Sequence, residues 1–116
     1  MGTFRTKNMA AVYDAFIAQG GLAGACPLCV APTLATFKYW KIMNNKFPYD
    51  KVATMHHMLV PLQHVTEASV SREAWMEYQE LKKGILNQDY EFLVEATTKK
   101  KSIPAHFHIH LLVAQD

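Results

Sequence analysis

The sequence predicts an α+β domain built on an antiparallel sheet with helices on one face. Three observations carry that expectation. The chain has 116 residues, half of them hydrophobic and 19% charged, which suits one compact domain with a real core and excludes a disordered chain. Apolar spacing switches between a period near 3.6 and a period of two, in the order helix, two strands, helix, two strands. Finally, "HFHIHLL" at residues 106–112 alternates His106, His108 and His110 with Phe107, Ile109 and Leu111, the pattern of a strand carrying histidines on one face and apolar residues on the other. No internal repeat or linker divides residues 1–116.

Taken in order, Asn8 can cap a helix from about Met9 to Gln19, whose apolar stripe is Val12, Tyr13, Phe16 and Ile17 and whose stop is Gly20-Gly21. The cysteine loop "CPLC" follows. The aromatic-rich run "ATFKYWKIM", residues 35–43, reads as a strand, and "NNKFPYDKVA" as a loop by its Asn, Pro and Asp content. "HHMLVPL", residues 56–62, is a second strand closed by Pro61. Ser69 or Ser71 then caps a helix to about Leu86, with Trp75, Tyr78, Leu81 and Ile85 near helical spacing. "YEFLVEA", residues 90–96, is a third strand, and "TTKKKSIP" turns the chain into the histidine strand. Trp40 and Trp75 sit in periodic segments and are expected in the core.

A net charge of +2 and a pI near 8.6 are too mild for the clustered basic footprint of a nucleic-acid binder, while phosphate-bearing small molecules remain compatible. No apolar run is long enough to cross a bilayer and no secretory signal opens the sequence, so a cytoplasmic protein without a membrane role is the default expectation. The start Met1-Gly2 through Thr6 fits the loose N-myristoylation pattern, which needs only two fixed identities. The two cysteines, Cys26 and Cys29, form one Cys-x-x-Cys, which in a reducing compartment reads as a metal knuckle or a redox pair.

On the residues alone, the alternating histidines admit a metal site, a catalytic face or structural hydrogen bonding. The motifs "HFHIHLL" and "HHMLVPLQH", in that spatial logic with a helix between them, together with "NKFP" and "CPLC", resemble the histidine-triad family over about residues 26–113, leaving 1–24 as an N-terminal helical extension. The resemblance implies a HIT-like fold, usually homodimeric, that hydrolyses or transfers nucleoside monophosphate groups from phosphoramidates, dinucleoside polyphosphates or similar esters. It implies His108 as the nucleophile that forms a covalent nucleotidyl-histidine, with His110 and His57 donating hydrogen bonds to phosphate or leaving group. Ser102 is either an extra phosphate donor or an ordinary turn serine, Asn45 falls where the ribose hydroxyls are held, and Phe47 and Tyr49 are candidates to contact a base.

Structural zinc sites commonly join two Cys-x-x-Cys thiolates to two further ligands, and with no other cysteine the remaining pair must be histidines. His64 and His106 are the candidates, as in the zinc-containing histidine-triad subset and the related hexose-phosphate uridylyltransferases. A turn with free thiols or a redox pair is the competing reading. The glycine-rich "GQ" turn common before the triad is replaced here by "KKKSIP", which leaves substrate preference open. Two other functions stay in view: a nucleotide-binding regulatory module with little turnover, and a zinc-binding protein without phosphate chemistry.

Overall fold

The structure, a computed structural model, describes residues 4–100 and 103–116. Ser102 and the first residues of the myristoylation pattern lie outside the described residues. The class is α+β: one antiparallel sheet in the order β1-β2-β3-β5-β4, formed by β1 (Thr33–Thr36), β2 (Trp40–Asn44), β3 (Ala53–Pro61), β4 (Phe92–Val94) and β5 (Ile109–Ala114). The helices are α1 (Lys7–Ala18), α2 (Pro27–Val30), α3 (Arg72–Lys83) and α4 (Ile85–Asp89). None among the described residues is long and apolar enough to cross a membrane.

One face of the sheet packs against α3 and α4 through Trp40, Ile42, Leu59, Phe107, Ile109 and Leu111, with Ala74 and Leu86 from the helices. The opposite face carries a smaller cluster of Leu28, Met43, Met58 and Val60, against which Cys26 and Ile103 lean. Both faces are therefore covered, α3 and α4 on one side and the segment around α2 on the other. This explains why "HMLV" is apolar without alternation: a strand buried on both sides has no polar face to mark its register.

The expected strand 35–43 is a hairpin, β1 and β2, joined by a tight turn at Phe37–Tyr39. Glu77 of α3 makes the break: its carboxylate accepts the Lys38 and Tyr39 backbone N–H groups at 3.0 and 2.8 Å. Trp40, wholly buried, donates its indole N–H to the Ala74 carbonyl at 2.7 Å and so fixes α3 over β2. The second long helix starts at Ser71, whose hydroxyl accepts from Ala74 N–H, and divides at Gly84 into α3 and α4.

α1 begins two residues before the expected start. Thr6, not Asn8, is the cap: its hydroxyl accepts from Met9 N–H, and it also donates to Asp50, which receives the Thr6 backbone N–H as well. Those bonds tie α1 to the loop between β2 and β3. The helix ends at Gly20 with φ +81°, a left-handed conformation that glycine adopts at little cost. At Gly21 a Cβ would run into the Phe16 ring, so a side chain there would have to push that ring aside.

Candidate functional site

Two groups of histidines occupy the face opposite α3. In the first, Cys26 caps the single turn of α2 and Cys29 lies within it, where Pro27 suits the first helical position and buried Leu28 anchors the turn to the sheet. His64 follows the end of β3, and His106, fully buried, precedes β5. Cys26 Sγ lies 3.6 Å from His106 Nδ1, and Cys29 Sγ lies 3.4 Å from the same nitrogen and 3.3 Å from His64 Nδ1. All four ligand atoms fall within 4.8 Å of one another and could hold a metal ion, a donor set compatible with zinc. The other nitrogen of His106, Nε2, donates to the Pro61 carbonyl at 3.0 Å, which leaves the lone pair on Nδ1 facing the sulfurs. Burial first of all holds the His106 ring below its ordinary pKa, in the neutral form that ligation requires.

The second group opens onto a cavity of about 440 Å³. His108 and His110 line it with Met43 and Met58, and Tyr13, Phe16 and Phe47, packed together, give it an aromatic wall. Phe47 packs against Phe16 and Tyr13 at ring separations of 4.8 and 5.0 Å. The N-terminal helix is thus part of the site, as is Arg5, which donates from Nε to the Phe47 carbonyl and lies over the Tyr13 ring. His108 is 6% exposed, reached through this cavity. Its Nδ1 sits 3.0 Å from the His106 carbonyl oxygen, which can only accept, so the proton of the neutral ring is on Nδ1 and the lone pair on Nε2.

The protons of the neighbouring rings follow by the same reasoning. Tyr49 backbone N–H donates to His56 Nδ1 at 2.9 Å, so neutral His56 carries its proton on Nε2. That N–H is 2.7 Å from His110 Nδ1, which must accept; His110 then carries its proton on Nε2, 3.2 Å from the Tyr49 hydroxyl oxygen. A peptide N–H therefore fixes a chain of two imidazoles that returns to the side chain of the same tyrosine. Burial, followed by the nearby cations and rings, pushes His56 down to about 3 and His110 also far below its ordinary range, consistent with both rings being neutral.

The two adjacent histidines of β3 face the opposite way to the expectation that put His57 at the phosphate. Met58 faces His110 across the ladder and His57 faces Leu111, so His56 shares the face of His108 and His110 while His57 points to the helix side. There His57 Nδ1 lies 2.6 Å from the Tyr90 hydroxyl, away from the cavity. Asn45 lines the cavity, but its amide oxygen accepts from Phe47 N–H at 2.8 Å and its nitrogen lies 3.2 Å from His56 Nε2 and 3.6 Å from Met58 Sδ, so the side chain braces the loop against β3. Exposed Asn44 beside it also borders the cavity, although in the ladder it pairs with His57. Phe47 lines the cavity as an aromatic wall, whereas the Tyr49 ring packs at a tilt against His56 and His110 at 4.3 and 4.8 Å. Of the lysine run, exposed Lys100 borders the cavity.

Sequence reasoning missed His56, the Tyr49 hydroxyl and the contribution of α1. The stripe Tyr13 and Phe16 was legible as an apolar face, but nothing in its spacing says which loop it meets. Comparison of the chain with protein-family models, curated proteins and solved structures finds no match.

Proposed function

We propose that this chain is a nucleotide hydrolase or nucleotidyltransferase of histidine-triad type, acting at the α-phosphate of a nucleoside phosphoramidate, dinucleoside polyphosphate or similar ester through His108. The observation that carries the reading is the His108 ring: buried on a cavity wall, with Nδ1–H on the His106 carbonyl and its lone pair on Nε2. Imidazole in that state attacks phosphorus without a separate base. The Nε2–P bond forms as the bond to the leaving group breaks, the leaving group takes the electron pair and a proton from water, and the imidazolium charge is stabilised by the Nδ1–H···O=C contact. Water or another acceptor then displaces His108, which recovers its lone pair. The aromatic wall of Phe16 and Phe47 suits a planar base, and the cavity volume lies in the range of small-molecule sites.

Zinc is the proposed occupant of the Cys26, Cys29, His64 and His106 set. Sulfur–nitrogen edges of 3.3 to 3.6 Å agree with a tetrahedron at ordinary zinc bond lengths, for which geometry requires about 3.5 Å. When bound, the ion cross-links α2, the end of β3 and the segment leading into β5. Pairing of two chains into a homodimer belongs to the same proposal and is read from sedimentation.

The test is to incubate the protein with an adenosine phosphoramidate and with a dinucleoside polyphosphate, and to locate any nucleotidyl adduct by mass spectrometry. The expected result is an adduct on His108, with turnover reduced about a thousandfold or more in His108→Ala. Turnover indifferent to that substitution overturns the assignment; saturable nucleotide binding with no adduct favours a binding module.

A further inference from the structure

The proposed chemistry would set His110 against the phosphate, yet the hydrogen bonds leave that ring without a proton to offer. Its Nδ1 accepts from His56, and its single N–H, on Nε2, is directed at the Tyr49 hydroxyl oxygen. A phenol oxygen that accepts still holds its own hydrogen, and no other hydrogen bond to Tyr49 Oη is formed among the described residues. Tyr49 lines the same cavity as His108. The His108 and Tyr49 rings flank His110 at centroid separations of 5.1 and 4.8 Å.

The hydroxyl is also held in place before any ligand arrives. The Tyr49 ring packs on His56 and His110, Phe4 meets it edge-on at 5.5 Å, and the Arg5 guanidinium lies 5.0 Å from its centroid. Its backbone N–H, bonded to His56, fixes the other end of the residue. Burial raises the phenol above its ordinary pKa, so it remains a donor across the working range. A donor so constrained loses little freedom on binding and suits an oxygen that carries charge.

From this geometry we infer that the Tyr49 hydroxyl, not the His110 imidazole, donates the hydrogen bond to a non-bridging oxygen of the ligand phosphate. His110 and His56 are positioning residues that orient the hydroxyl from behind. The assignment rests on the nucleotide reading of the cavity and corrects it in one respect: Tyr49 contacts the phosphate end of the ligand rather than its base.

Tyr49→Phe is the discriminating variant, because it keeps the ring and the backbone N–H and removes only the hydroxyl. Calorimetry with AMP and GMP is compared with adenosine and guanosine, for both the unsubstituted chain and Tyr49→Phe. The expected result is a loss of about tenfold in nucleotide affinity, the order of one hydrogen bond to a charged group, with nucleoside affinity unchanged. Equal effects on nucleotide and nucleoside, or no effect on either, overturn the inference while a His108 adduct still leaves the nucleotide reading standing. Absence of nucleotide binding by the unsubstituted chain overturns both. Nitrogen-15 spectra supply a readout independent of activity: His56 and His110 are expected as Nε2–H tautomers, and a protonated Nδ1 on His110 would sink the inference.

Discussion

His56 and His57 are adjacent in the chain and have opposite surroundings. The first lies 2.7 Å from His110 beside the cavity, the second 2.6 Å from the Tyr90 hydroxyl beneath the helices. His57→Asn is accordingly expected to leave nucleotide affinity and turnover within about twofold, whereas His56→Asn lowers turnover about tenfold or more by freeing the His110 ring; steady-state kinetics on both variants decide. The buried pair also predicts acid sensitivity. His56 is held near 3 in the folded chain and titrates near its ordinary value once unfolded, so its contribution is complete above about 6.5 and is lost as pH falls toward 3. At pH 5 the loss is about 2 kcal/mol for His56 alone, and His110 adds to it in the same direction. Urea midpoints at pH 7.5 and pH 5 measure this, and His56→Gln should flatten the slope. Which of the two histidines faces inward was not legible, because strand β3 is buried on both sides and its neighbours Met58, Leu59 and Val60 are apolar on either face.

At the level of single elements, the β1–β2 hairpin depends on a side chain from a helix more than thirty residues away. Glu77→Ala removes both carboxylate contacts to the turn and is expected to cost about 1–2 kcal/mol, read from the urea midpoint, with the cavity and nucleotide affinity intact. The opposite pattern is expected at Gly21. An added methyl group meets the Phe16 ring, so Gly21→Ala should displace that ring from the cavity wall and weaken nucleotide binding more than it lowers stability. Calorimetry beside a thermal melt separates the two effects. Helix starts were partly legible: Ser71 acts as the cap, as local chemistry suggests. At α1 both Thr6 and Asn8 are capping residues by type, and the contact that holds Thr6 in place, its bond to Asp50, is remote in sequence. The same limit applies to the aromatic run 35–43, whose β propensity is real but whose interruption comes from tertiary contact.

Across the whole molecule, the α+β class, the antiparallel sheet and the proximity of Cys26, Cys29, His64 and His106 were legible. They follow from period, order and the chemistry of a Cys-x-x-Cys with no further thiol. The cavity was not, since it is assembled by α1, the loop before β3 and β5, segments that only folding brings together. If the ion reading holds, metal analysis gives about one zinc per chain, and a chelator lowers the melting temperature by roughly 10 °C, because the ion binds the folded chain and not the unfolded one. A native preparation free of zinc, or a melt unmoved by chelator, speaks against it.

His106 belongs to both halves of this arrangement: its ring turns to two sulfurs while its carbonyl receives the proton of the next imidazole, that of His108. An engineer who replaced the four donors with a well-fitted greasy plug could restore heat resistance yet leave His108 Nε2, the proposed nucleophile, mis-aimed. Robustness and reactivity would then part company in a single variant, although none of the altered side chains touches the ligand.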